Sequence, residues 1–144
     1  MYKRILVPVD GSATSNLALD EAIMLAKGRQ CGLRIVHVID TVNLNLESTT
    51  DIAVPMRESG RKILQEAESR ARKGRVKVET GLIEIQKLTE RISDLLTQDA
   101  TAWRADIIVM GTHGRRGLNR LLLGSVADSV VRVSSVPVLL IRGK

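Results

Sequence analysis

Two short stretches hold the residues best suited to chemistry. One is Asp10-Gly11-Ser12. The other runs from Gly111 through Thr112, His113 and Gly114 to Gly124-Ser125. A carboxylate such as Asp10 accepts hydrogen bonds from sugar hydroxyls. Glycines let backbone N–H groups approach phosphate oxygens closely, because no Cβ intervenes. Gly124-Ser125 precedes a run with helical periodicity, and the N–H groups that open a helix are unpaired and favour anions. Gly111, Gly114, Gly124, Ser125 and Val126 are therefore expected to surround a polyphosphate, with Arg115, Arg116 and Arg120 adding exposed charge nearby. The structural alternative is that the glycines only shape a turn, and that Ser125 with Asp128 forms a capping box.

Other nucleotide signatures are absent. No G-x-x-x-x-G-K-[ST] sequence occurs. The Gly111, Gly114, Gly117 spacing differs from the dinucleotide fingerprint and follows a late strand instead of the first. No catalytic set is apparent, and no metal-ligand cluster. Asp10 and His113 are the residues near the loop able to orient a water, and a loop histidine more often simply hydrogen-bonds or faces solvent.

Apolar runs over 3–9, 31–39, 75–82, 105–110 and 136–142 predict five strands. Between them, helical spacing predicts helices over 13–28, 53–73, 86–102 and 125–135. Their apolar faces are Ala18, Ala22 and Leu25; Ile63, Leu64, Ala67 and Ala71; Leu88, Ile92, Leu95 and Leu96; and Val126, Val130 and Val131. Ser12 is expected to cap the first helix, Gly28 to stop it and Gly74 to end the second. Residues 40–50 read as a polar loop, with Asn43, Asn45 and Glu47 solvated.

Strict alternation of strand and helix calls for a single doubly wound, Rossmann-like α/β domain spanning residues 1–144. It would hold a five-stranded parallel sheet of order 3-2-1-4-5 with helices on both faces. In such sheets ligands bind beyond the carboxyl ends of the strands, where the order reverses. That place lies between the first and fourth strands, where the two stretches of the opening paragraph meet.

Composition narrows the function classes. The chain has 144 residues, 44% apolar and 26% charged, which suits one folded domain. Its aromatics are Tyr2 and Trp103, so base stacking on aromatic platforms is poorly supported and no specific nucleic-acid partner is expected. Trp103, before the fourth strand, reads as packing. A net charge of +6 favours anions in general. Cys31 is the lone cysteine and opens an apolar strand, so it reads as a buried small hydrophobe in a reducing compartment. No run of about 18 apolar residues occurs. The expectation is a cytoplasmic protein with no membrane partner.

The chain resembles the universal stress protein family along its whole length. The carrying motif is G-x2-G-x9-G-[ST], complete here as Gly111, Gly114 and Gly124-Ser125. The opening ILVPVDGS, the unit DIIVMGTHGRRGLNRLLLGSVAD and the closing VPVLLIR add to it. The resemblance implies an ATP site like that of the family's ATP-binding branch. Pro8, Val9 and Asp10 would line the adenosine, with Asp10 near the ribose or a bound metal. Val38 would touch the adenine, and Met110 and Gly111 the nucleoside. Gly114, Gly124, Ser125 and Val126 would hold the phosphates, and Mg²⁺ or Mn²⁺ would accompany them.

The resemblance also implies a homodimer, formed by antiparallel pairing of strand 137–142. The apolar edge Val138 to Ile141 independently invites such pairing. The implied role is a stress-response regulator acting through a protein partner; the resemblance does not say whether ATP is hydrolysed, and the lack of a catalytic set leaves at most slow hydrolysis. Two other readings stand beside it: a dimeric interaction module independent of nucleotide, and an adenylating enzyme, for which no HIGH-type or S-G-G-x-D-S sequence is present.

Overall fold

The structure is a computed structural model that describes residues 1–43, 51–113 and 123–143. Its elements alternate along the chain: β1 (Arg4–Pro8), α1 (Ala13–Ala26), β2 (Gly32–Ile39), α2 (Ala53–Lys73), β3 (Lys77–Glu84), α3 (Ile92–Trp103), β4 (Ile107–Gly111), α4 (Ser125–Val133) and β5 (Val138–Ile141). All neighbouring strands pair in parallel, in the expected order β3-β2-β1-β4-β5. The order reverses between β1 and β4.

The continuous apolar runs mark strands covered on both faces. Ile5, Leu6 and Val7 are completely buried in the central strand β1. Because successive residues point to opposite faces, they feed two separate cores. Ile5, Val7, Leu33, Ile35 and Val109 pack with α1 and α2. Leu6, Val36, Ile108 and Met110 pack with α3 and α4. Alanines on the inner faces, Ala18, Ala22 and Ala71 among them, are fully buried and let the helices lie close to the sheet.

Several boundaries differ from expectation. The third helix begins at Ile92 instead of residue 86. Before it, the Glu90 carboxylate accepts the N–H groups of Gln86 (2.6 Å) and Lys87 (2.9 Å), which stabilises a turn in place of a helix. Leu88, expected on an apolar face, is exposed in consequence. β3 starts and ends later than expected, because all eight of its residues are in register with β2. β5 is shorter than residues 136–142. Val131, expected to face inward, is exposed, while Ala127 and Val130 make the buried stripe of α4.

Candidate functional site

At the carboxyl end of β1 the backbone is tied on both sides. Val9 N–H donates to Val36 O (2.8 Å), and the Val9 carbonyl is bonded by His37 Nδ1 (2.7 Å). The chain then turns through Gly11, whose φ of +81° favours glycine. Ser12 N–H donates to Asp10 Oδ1 (2.8 Å), and Asp10 N–H donates to Ser15 Oγ (3.2 Å). Ser12 caps α1 as expected, its Oγ accepting from Ser15 N–H (3.1 Å). These three bonds fix the half-buried Asp10 carboxylate at the crevice mouth before any ligand arrives.

β4 ends in a matching clasp. Thr112 N–H donates to Ile141 O (2.9 Å), and Thr112 O accepts from Gly124 N–H (2.7 Å). One residue thus holds β5 and the start of α4 to the end of β4. Thr112 Oγ1 also lies 3.0 Å from His113 Nδ1.

The helix N-cap is Gly124, with no side-chain cap hydrogen bond, so the alternative of a Ser125–Asp128 capping box does not hold. Ser125 is instead the exposed first helical residue, and Asp128 pairs with Arg132 (3.0 Å) one turn on. A capping box needs the serine outside the helix; here Gly124 takes that place, because its own N–H is drawn onto Thr112 O. The first-turn N–H groups of α4 therefore receive no side-chain oxygen from their cap residue.

The expected site residues fall as follows. Pro8, Asp10 and Val38 are half-buried, Val9 and Met110 nearly fully buried. By strand alternation Pro8 shares the face of Leu6, and Val38, Met110 and Val126 pack around that same second core. Val9 points the other way, into the first core. Gly111, Gly124 and Ser125 stand at the crevice. Gly114, with Arg115, Arg116 and Arg120, lies outside the described residues, as do Asn45 and Glu47.

Both described glycines turn out to face protein. A Cβ on Gly111 would come within 2.7 Å of Thr14 Cγ2, and one on Gly124 within 2.8 Å of the Thr112 carbonyl oxygen. Sequence reasoning missed Thr14, Ser15, His37 and Thr112 as organisers of the crevice. The single available signal was His37, a polar residue set between the apolar Val36 and Val38.

Among the described residues no three His, Cys, Asp or Glu side chains gather as a metal cage. A hard divalent cation would fit here only by taking most of its oxygen ligands from phosphates and water, with the preset Asp10 carboxylate within the same crevice.

Elsewhere, Cys31 is buried as expected, and burial pushes its thiol up. Trp103 packs on the second core with the Arg4 guanidinium 4.3 Å above its ring. Among the described residues no helix is long and apolar enough to cross a membrane.

Comparison with known proteins follows the same outline. A family model described as the universal stress protein family matches residues 1–142. Universal stress protein MJ0531 of Methanocaldococcus jannaschii is 34% identical over 99% of this chain and 83% of its own length. The solved structure of the MJ0577 protein of the same organism superposes with a TM-score of 0.86 at 26% identity, covering 100% of this chain and 98% of the other. A universal stress protein of Archaeoglobus fulgidus, solved in complex with dAMP, superposes with a TM-score of 0.73 at 26% identity, covering 98% of each chain.

Proposed function

Since the chain belongs to the universal stress protein family, we propose that it is an adenine-nucleotide-binding regulator, with ATP as ligand, as in the family's ATP-binding branch. The observation that carries this reading is the start of α4. Its cap residue, Gly124, offers no side-chain oxygen, it is anchored through Thr112, and it lies across the strand-order reversal from Asp10. A helix N-terminus favours phosphate, and a fixed carboxylate suits a ribose. The dAMP bound by the Archaeoglobus fulgidus protein supports the adenine class.

In this reading Pro8, Val9, Asp10, Val38, Met110 and Gly111 surround the nucleoside. Gly114, Gly124, Ser125 and Val126 surround the phosphates, accompanied by Mg²⁺ or Mn²⁺. Residues 1–144 act as one nucleotide-binding unit. Hydrolysis is at most slow, because rapid phosphoryl transfer needs charge-neutralising and water-orienting groups beyond Asp10 and His113. The protein works in the cytoplasm, in a stress response and through a protein partner. It acts as a homodimer joined along β5, an edge strand that exposes Leu139.

The deciding experiment is calorimetry of ATP, ADP and AMP with Mg²⁺ on the wild type and on Ser125→Glu. Ser125 is exposed, and an acid in the first turn suits the helix dipole, so the fold tolerates the change. The added charge repels phosphate. Wild-type binding of ATP that falls about tenfold or more in the variant supports the reading. No binding to the wild type, or equal binding to both, removes α4 as the phosphate site.

A further inference from the structure

At the opposite end of the sheet, beside the amino ends of β1, β2 and β3, lies a cleft of about 620 Å³. That volume falls in the range of small-molecule sites. Lys3, Arg4, Arg29, Arg75 and Lys77 line it, and Trp103 closes one side. Against these five cations the lining offers one carboxylate, Glu79, which is already 3.4 Å from Arg34 Nη1. The nearby Asp106 carboxylate is engaged by the backbone N–H groups of Lys3 (3.0 Å) and Arg4 (3.1 Å). Among the described residues Lys3, Arg29, Arg75 and Lys77 form no ion pair.

The simplest explanation for cations here is that α1, α2 and α3 all end at this side. Helix carboxyl ends carry roughly half a negative charge each, about 1.5 in all, and attract basic residues. Arg29 Nη1, which donates to the Leu25 carbonyl (2.5 Å), does serve this purpose. Even with the Glu79 and Asp106 carboxylates counted, the helix ends fall short of balancing five cations. A net positive field remains over a concave surface.

The backbone adds a second, independent observation. Among the described residues, the non-glycine residues with positive φ are Arg75 (59°) and Arg104 (61°). Both occupy turns leading from a helix into a strand, as Gly28 (φ 72°) does before β2. Left-handed backbone favours glycine and disfavours arginine. At Arg75 the strained residue is one whose side chain lines the cleft. The fold thus keeps an arginine at the cleft where backbone conformation alone would choose glycine.

We propose that this cleft is a second anion site, separate from the β1/β4 crevice, that takes a compact ligand with two or more clustered phosphate groups. Its cupped shape suits a small polyanion better than an extended strand of nucleic acid. One face of Trp103 is already covered by Arg4, which Trp103 O also holds through Arg4 Nε (2.7 Å), so base stacking there is blocked.

The test is titration of the full chain with inorganic tripolyphosphate at fixed ionic strength, read by Trp103 fluorescence and by calorimetry. The variants are Arg75→Gly, Lys77→Gln, their combination, and Lys87→Gln as the control, an exposed cation at the other end of the sheet. The expected result is a Trp103 fluorescence change whose affinity falls about fivefold or more in Arg75→Gly and further in the double variant, while Lys87→Gln leaves it within about twofold. The Tm of Arg75→Gly is expected to hold or rise, since glycine relieves the turn.

Unchanged affinity in the double variant overturns the proposal. So does an equal loss in Lys87→Gln, or an equal response to sulfate. Tighter binding of a single-stranded oligonucleotide, weakened by the same variants, replaces it with a nucleic-acid surface. Co-sedimentation with vesicles bearing a bisphosphorylated headgroup identifies the source of the phosphates. Weakening by Arg75→Gly in either format supports the site, and the tighter format names the source.

Discussion

Gly111 and Gly124 each point a missing side chain at protein backbone or side chain and not at open space. Their role is to let α1 and α4 close on the end of β4. Gly124→Ala would put its Cβ 2.8 Å from the Thr112 carbonyl oxygen. We expect it to cost about 1–3 kcal/mol, measured by urea unfolding, since a backbone atom cannot step aside as a flexible side chain does. Any loss of nucleotide affinity in that variant would therefore report a displaced helix, whereas Ser125→Glu reports the phosphate contact itself. At the other lip of the crevice, Ser12→Ala removes the oxygen that accepts Ser15 N–H. The expected cost is about 1 kcal/mol by the same assay. The motif residues were legible in the sequence as glycines and hydroxyls near a helix start. Thr14 and Thr112 were not, because their part depends on which backbone atoms the fold brings beside them.

Between elements, two ion pairs do much of the fastening. Arg34 on β2 grips Asp99 on α3 with two bonds, Nε–Oδ2 at 2.7 Å and Nη2–Oδ1 at 2.9 Å. Both side chains are about four-fifths buried. Gly81 on β3 leaves the room this requires, since a Cβ there would stand 2.7 Å from Arg34 Nη2. Asp99→Ala strands the guanidinium, and we expect a loss of about 1–3 kcal/mol in chemical denaturation.

At the far end of β3, Glu84 accepts two bonds from Arg57 on α2 (2.9 and 2.7 Å) and one from Thr41 (2.8 Å). The Arg57 guanidinium first, then the Thr41 hydroxyl, hold its carboxyl below the usual carboxylate range. A group with a depressed folded value stabilises the fold above its unfolded value and loses that contribution as pH falls through the folded one. The urea midpoint of the wild type is therefore expected to fall on acidification below the ordinary glutamate range. Glu84→Gln should start lower at neutral pH and fall less steeply.

Strand order and the helix faces, Leu88 and Val131 excepted, were legible because apolar runs and helical spacing are local signals. The start of α3 was not. It is set by one carboxylate folding back on two N–H groups, at spacing that a helix would also accept.

At the scale of the molecule, β5 is an edge strand paired on one side only, which leaves its other side open to a second copy. Leu139→Lys places a charge in the middle of that edge. We expect it to shift the proposed dimer toward monomer in sedimentation velocity, while leaving the far-UV spectrum unchanged. A wild type that sediments as a monomer at every concentration would remove the dimer from the functional reading. The net charge of +6 is also unevenly useful, with five of its cations gathered at the amino ends of the strands.

The pairing of β1 with β4 has a further consequence. Ile5 lies beside Ile107, so the central strand keeps one flank open until most of the chain has been made. On the ribosome, β1, β2 and their helices can associate early, but the second core cannot close over Leu6 until β4 leaves the exit tunnel. Contacts so distant in sequence slow folding and prolong exposure of apolar strands. A nascent chain stalled before β4 should thus be a client for chaperones, and protection from protease should arrive in one late step.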